Sequence, residues 1–80
     1  DPEILDAVRR AAGSDERLRS VHEVVTLQQG PGEVLVALKL ACDSNLSAKH
    51  LSEAINSFEA RLRKDRPEVR WVFVEPDLPA

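Results

Sequence analysis

The sequence predicts a small α+β domain with the element order α-β-β-α-β, a three-stranded mixed sheet and two helices on one face of it. Two segments carry apolar residues at helical spacing, and three segments are rich in β-branched residues. A helix joins the last two strands, and such a connection makes those strands parallel. A short turn joins the first two strands, which makes that pair antiparallel.

The first helix is predicted to begin at residues 1–3 (DPE), where Asp1 is the N-cap, Pro2 takes the first helical position and Glu3 lies in the first turn. Gly13 ends this helix, and a polar connection runs to about Arg19. The residues expected on its core face are Ile4, Leu5, Val8, Ala11 and Ala12.

Residues 20–28 and 33–41 are predicted to be the two strands of a hairpin, because the turn QGPG lies between them. The second strand is apolar on both faces. One face is expected to carry Val34, Val36, Leu38 and Leu40, and the other Leu35, Ala37 and Ala41 around Lys39.

The second helix is predicted to begin after an N-cap at Ser47 and to end before Pro67. Its core stripe consists of Leu51, Ala54, Ile55, Phe58 and Leu62. Residues 69–75 are the predicted third strand, which Pro76 stops because proline has no N–H for the ladder. Alternation places Val69, Trp71 and Phe73 on one face of this strand, and Val72 and Val74 on the other.

Two helices can cover only one face of such a sheet. The second apolar face therefore needs a partner, and a two-fold homodimer is the simplest arrangement that covers it. The predicted assembly is a homodimer.

The composition is typical of a single globular domain that spans residues 1–80, with 42% hydrophobic and 31% charged residues. The net charge of −3 argues against nucleic acid as a partner, since a nucleic-acid module needs a basic face. We find neither a signal peptide nor an apolar run of membrane-spanning length. Because the chain begins at Asp1 without Met, we expect it to be an excised part of a longer protein.

The sequence predicts that the domain is not an enzyme. It has no Gly-rich phosphate loop and no CxxC, HExxH or GxSxG motif. Cys42 is the only cysteine, so we expect no disulfide, a reducing compartment and a small buried apolar role for this residue. The basic residues within 61–66 are assigned to the negative C-terminal end of the second helix.

Six residues could ligate a metal: His22, His50, Cys42, Asp43, Glu75 and Asp77. His22 is expected to share a strand face with Val24 and Thr26, either near an interface or as a hydrogen-bonded surface residue. His50 is expected to face solvent. Glu75 and Asp77 flank a proline, and their carboxylates are either solvated ends of a strand or oxygen ligands for a cation.

Four segments together resemble the cytoplasmic C-terminal domain of the cation diffusion facilitator family, namely DPEILDAVRRAA, VHEVVTLQQGPGEVLVALKL, LSEAINSFEARLR and PEVRWVFVEPD. The match covers essentially the whole chain, and the order and spacing of the segments make it specific. The family consists of membrane exporters of divalent cations such as zinc. The resemblance implies a ferredoxin-like, metallochaperone-like fold, a homodimer, a transmembrane domain in the same chain, a position at the cytoplasmic face of the membrane, and regulation of transport by bound metal.

The metal ligands of the family carry over to this chain only in part. His22 matches the histidine of strand one, whereas Leu38 stands near the position of a second histidine and cannot bind metal. The strand-three ligands, a histidine followed by an aspartate, fall where this chain offers Glu75 and Asp77. The resemblance therefore implies a weak divalent-metal site formed by His22, Glu75 and Asp77 and shared between two chains. Zinc is the metal that it favours most.

Two other functions stay open. One is a free-standing soluble metal-binding or ligand-sensing module of ferredoxin-like fold, although a chaperone of soft metals would use paired thiolates. The other is an interaction module that binds no metal. About six apolar spans upstream of Asp1 in the full-length sequence would identify the exporter.

Overall fold

Two helices and three strands make up residues 2–77, the part of the chain that the computed structural model describes. The elements are α1 (Pro2–Gly13), β1 (Leu18–Gly30), β2 (Glu33–Cys42), α2 (Ala48–Asp65) and β3 (Val69–Asp77). β2 lies in the middle of the sheet, antiparallel to β1 and parallel to β3. The predicted fold class, α-β-β-α-β with a mixed three-stranded sheet, is confirmed.

The hydrophobic core lies between the helices and one face of the sheet. β2 contributes one of its two predicted apolar faces, and α1 contributes a stripe at i, i+3, i+4 and i+7. The residues that these two elements contribute to the core cluster are Val34, Val36, Leu38, Leu40 and Cys42, and Ile4, Ala7, Val8, Ala11 and Ala12. Leu5, predicted for the same stripe, is only half-buried, and Ala7 is buried in addition to the predicted residues. The predicted cap, Asp1, lies outside the described residues.

The basic residues near the C-terminal end of α2 also form contacts with other elements, in addition to their predicted place at the negative end of the helix. The guanidinium group of Arg61 donates hydrogen bonds of 3.0 and 2.8 Å to the carbonyl oxygen of Ala11 near the C-terminus of α1. The same carbonyl accepts a hydrogen bond of 3.2 Å from the hydroxyl group of Ser14. Arg66 forms ion pairs with Glu3 at 2.9 Å and with Glu68 at 3.1 Å. The contacts with Ala11 and Glu3 tie α1 to the C-terminal end of α2.

The connection between α1 and β1 is shorter than predicted. The carboxylate of Asp15 accepts hydrogen bonds from the backbone N–H of Arg17 at 3.0 Å and from its guanidinium group at 2.6 Å. The side-chain hydrogen bonds from Arg17 hold the pKa of Asp15 below its usual value. This closed turn starts the strand at Leu18, which is buried in the core, rather than at residue 20.

A β-bulge in β1 decides which of its side chains share a face of the sheet. Pairing with β2 is regular from Ser20 to His22, and β1 then inserts one extra residue before Val25. Glu23, inside the bulge, has a positive φ of 50°. The extra residue reverses the alternation, so His22 lies on the same face as Val25. The prediction that placed His22 with Val24 and Thr26 is therefore wrong.

β3 departs from its predicted pattern at both ends. An irregularity after the first pair of the β2–β3 ladder turns Val69 into the core, so the prediction that placed it with Trp71 is wrong. The strand also continues through Pro76 to Asp77, although the sequence predicts a stop at the proline. β3 pairs only with β2, and an edge strand tolerates a residue that has no N–H.

The prediction for α2 is confirmed at both ends and along its core face. The hydroxyl oxygen of Ser47 accepts a hydrogen bond from the backbone N–H of His50, which caps the helix. The helix ends before Pro67. Three residues of the stripe are fully buried (Ala54, Phe58 and Leu62), and two at its margin are half-buried (Leu51 and Ile55).

Candidate functional site on the open face of the sheet

The face of the sheet opposite the helices, called the open face below, carries a patch of apolar side chains. They come from all three strands and lie in two neighbouring rows of paired residues. The rows are Leu27, Leu35 and Trp71, and Val25, Ala37 and Phe73. Four large members expose 42% to 58% of their surface: Val25, Leu27, Trp71 and Phe73. A contiguous apolar patch of this kind is typical of an interaction surface.

The next row of the open face is polar and consists of His22, Lys39 and Glu75. Lys39 lies in the middle, and its Nζ is 3.4 Å from Oε2 of Glu23 and 3.5 Å from Oε2 of Glu75. The negative charge of Glu23, and to a smaller extent that of Glu75, raises the pKa of Lys39. Lys39 is therefore charged at neutral pH. Lys39, Glu23 and Glu75 together are called the Lys39 cluster below.

His22 and Glu75 lie on the two outer strands of this row, with Lys39 between them. Two strand spacings of about 4.8 Å put their backbones about 10 Å apart. Nε2 of His22 is 2.8 Å from the hydroxyl oxygen of Ser20 on the same strand. The imidazole of His22 and the carboxylate of Glu75 can therefore approach each other only past the side chain of Lys39.

Asp77 lies one row further along the open face, where it pairs with Ala41 and is exposed. The three predicted ligands, His22, Glu75 and Asp77, thus occupy the same end of the open face. Within residues 2–77, however, no three His, Cys, Asp or Glu side chains come together as a group that could hold a metal ion. These donors do not form a closed site in one chain, and metal binding by them stays a prediction.

The other metal-capable residues have different surroundings. Asp43 forms an ion pair with Arg19 at 3.4 Å. His50 is exposed in the first turn of α2, whereas the open face is formed by the three strands. Cys42 is fully buried, as predicted, and its thiol donates a hydrogen bond of 3.2 Å to the carbonyl oxygen of Leu40.

Cys42 is expected to react with the thiol reagent DTNB only as fast as the domain opens. Burial, and to a smaller extent the charge of Asp77, raises the pKa of the Cys42 thiol, and the thiolate is the reactive form. The absorbance of the released thionitrobenzoate measures the rate, and the same chain unfolded in guanidinium gives the rate of a free thiol. Equal rates for the folded and unfolded chains would contradict the burial of Cys42.

Lys39 and Glu23 belong to the site but are not among the site residues predicted from the sequence. Lys39 has a visible signal, because it is the only charged residue within the apolar run 34–42. Glu23 has no such signal. Its contact with Lys39 depends on the bulge, which the alternation of β1 does not reveal.

Neither helix in residues 2–77 is long and apolar enough to cross a membrane. No family model matches the sequence, and no curated protein matches it. Similarity is found at the level of three-dimensional structure.

The fold matches solved C-terminal domains over nearly the whole chain. The metal-bound C-terminal domain of the CzcD transporter from Thermotoga maritima is 14% identical, with a TM-score of 0.88 over 96% of this chain and 88% of that one. The copper form of the MamM CTD is 11% identical, with a TM-score of 0.86 over 99% of this chain and 86% of that one. A substituted MamM CTD in a nickel form is also 11% identical, with a TM-score of 0.87 over 100% of both chains. The resemblance noted in the sequence is thus confirmed at the level of the fold, which this chain shares with the C-terminal domain of the CzcD transporter.

Proposed function

We propose that this chain is the cytoplasmic dimerisation and regulatory domain of a divalent-cation efflux transporter of the cation diffusion facilitator family. The proposal is supported by the sequence resemblance and by a fold shared with the C-terminal domain of a transporter. The domain acts by assembly and binding, without catalysis. Its partners are a second copy of the chain, a transmembrane domain of the same longer protein, and divalent cations.

The observation that carries the proposal is the open face. Four large apolar side chains on it are about half exposed, while the helices cover only the opposite face. A second copy offers the same patch, and a two-fold axis brings the two apolar patches face to face. The Lys39 cluster beside the patch contains both signs of charge, so the lysine of one copy can face a carboxylate of the other.

In this dimer, the metal site is shared between the copies. Each chain supplies one imidazole, from His22, and two carboxylates, from Glu75 and Asp77, whereas zinc takes four nitrogen, sulfur or oxygen ligands. One chain does not group three such donors within its described residues, so the second copy or water completes the coordination. Such a site binds weakly. Because the ion binds the assembled form more tightly than a single chain, it stabilises the dimer, which is how metal would regulate the transporter.

Replacing His22 by alanine is expected to abolish metal binding, and replacing His50 by alanine is expected to leave it intact. His22 is the only imidazole of the open face, and His50 lies in the first turn of α2. Isothermal calorimetry of both variants and the parent with zinc, cobalt and manganese measures the difference. A His22→Ala variant that binds zinc as well as the parent would contradict the proposed site and would favour a dimerisation module that binds no metal.

A further inference from the structure

In the Lys39 cluster, the positively charged ammonium group of Lys39 lies beside Glu75, a carboxylate that the proposed metal site needs. Nζ of Lys39 lies 3.4 Å from one carboxylate and 3.5 Å from the other. One of these carboxylates, that of Glu75, is also a proposed metal ligand. A depression of about 310 Å³ lies beside the cluster, and its lining includes all three charged residues, so the carboxylates are accessible from the open face.

A divalent cation at this site would meet the Lys39 ammonium group at short range. Two like charges a few ångströms apart repel each other even in water, and the repulsion is twice as large when one ion carries two charges. The cation also needs the Glu75 oxygen that Lys39 already contacts. A metal ion can therefore bind well only if the ammonium group moves away, and Lys39 has a flexible four-carbon stem that permits this.

We propose that Lys39 competes with the divalent cation for the site. Its ammonium group pairs with the carboxylates of Glu23 and Glu75, and it must leave Glu75 before metal can bind. This inference rests on the proposed metal-regulated function of the same site. The consequence is a threshold concentration of metal, because the divalent cation must displace the Lys39 ammonium group and this competition lowers the apparent affinity for metal. The domain then responds only when the divalent cation is abundant.

A purely structural role for Lys39 makes a different prediction. If Lys39 only fills space or adds to the strand, then its replacement changes the stability of the fold and leaves metal affinity unchanged. If its charge competes with metal, then replacing Lys39 by a neutral side chain, small or large, raises metal affinity, and replacing it by another charged side chain does not.

The test measures zinc binding by isothermal calorimetry for Lys39→Ala, Lys39→Leu and Lys39→Arg beside the parent. The two neutral variants carry no metal-binding atom, and both are expected to bind zinc at least about tenfold more tightly. Lys39→Arg keeps the charge and is expected to bind as the parent does. Lys49→Ala on α2 changes the net charge by the same amount away from the sheet and is also expected to match the parent. Circular dichroism confirms that each variant is folded.

Adding Glu75→Gln to Lys39→Ala is expected to remove the gain, because the released carboxylate is what binds the metal. Neutral variants that bind zinc no better than the parent would overturn the inference, whether or not the parent binds it. Lys39→Arg that gains as much as Lys39→Ala would overturn it too, since charge would not be the cause. A parent that binds no zinc beside a Lys39→Ala variant that does would support the inference and contradict metal sensing by the native chain, so the two proposals fail separately.

Discussion

Replacing Phe58 by alanine is expected to lower the free energy of unfolding by about 3–5 kcal/mol. The ring exposes 0% of its surface and is the largest fully buried side chain in the core of the described residues. Its loss removes apolar burial and leaves a cavity between α2 and the sheet. A chain of 80 residues has a total stability of about 4–12 kcal/mol, so this single change removes a large share of it. Guanidinium unfolding followed by circular dichroism measures the difference.

Phe73→Ala is the matched control, since it makes the same chemical change on the open face, where the ring is 58% exposed. At concentrations low enough to keep the chain monomeric, it is expected to cost less than about 1 kcal/mol. At higher concentrations its effect should grow, because association stabilises the folded state. Equal losses for the two variants in dilute solution would contradict the burial of Phe58 and the exposure of Phe73.

The long helix of this fold is predictable from the sequence because the periodicity of its apolar residues is unbroken. The stripe of α2 holds one helical period from Leu51 to Leu62, and both ends carry local signals, the Ser47 cap and Pro67. The strands are less readable. One extra residue near Glu23 reverses the faces of β1, and the irregularity after Val69 does the same at the start of β3. Neither has a sequence signal, because hydrogen bonding to the neighbouring strand creates them.

The residues of the candidate site were named from the family resemblance, but the face of the sheet that His22 occupies was not predictable, because the bulge in β1 decides it. His22, Glu75 and Asp77 do lie at one end of the sheet, which the order of the strands implies. The ion pairs of Lys39 were not predictable, because the contact with Glu23 depends on the bulge in β1 and the contact with Glu75 depends on the β2–β3 register. Apolar alternation shows which positions are buried, but it does not show which charged residues meet.

Replacing Phe73 by glutamate is expected to weaken self-association by about a hundredfold or more. Phe73 is the most exposed of the large apolar residues of the open face, and a two-fold dimer buries it once in each copy. The variant would place two carboxylates in an apolar interface without a cationic partner, and a buried unpaired charge is costly. Sedimentation velocity across a concentration series gives the dissociation constants. The parent is expected to be a dimer at micromolar concentration and above.

Ser52→Glu is the control for charge, because Ser52 is exposed on α2 and the substitution adds the same carboxylate away from the open face. It is expected to dimerise as the parent does. If Phe73→Glu also dimerises as the parent does, then the interface lies elsewhere on the molecule. If the parent stays monomeric at high concentration, with and without zinc, then the open face does not bind a second copy. Its exposed apolar rows would in that case have to be covered by a different partner, since a contiguous apolar patch is rarely left in contact with water.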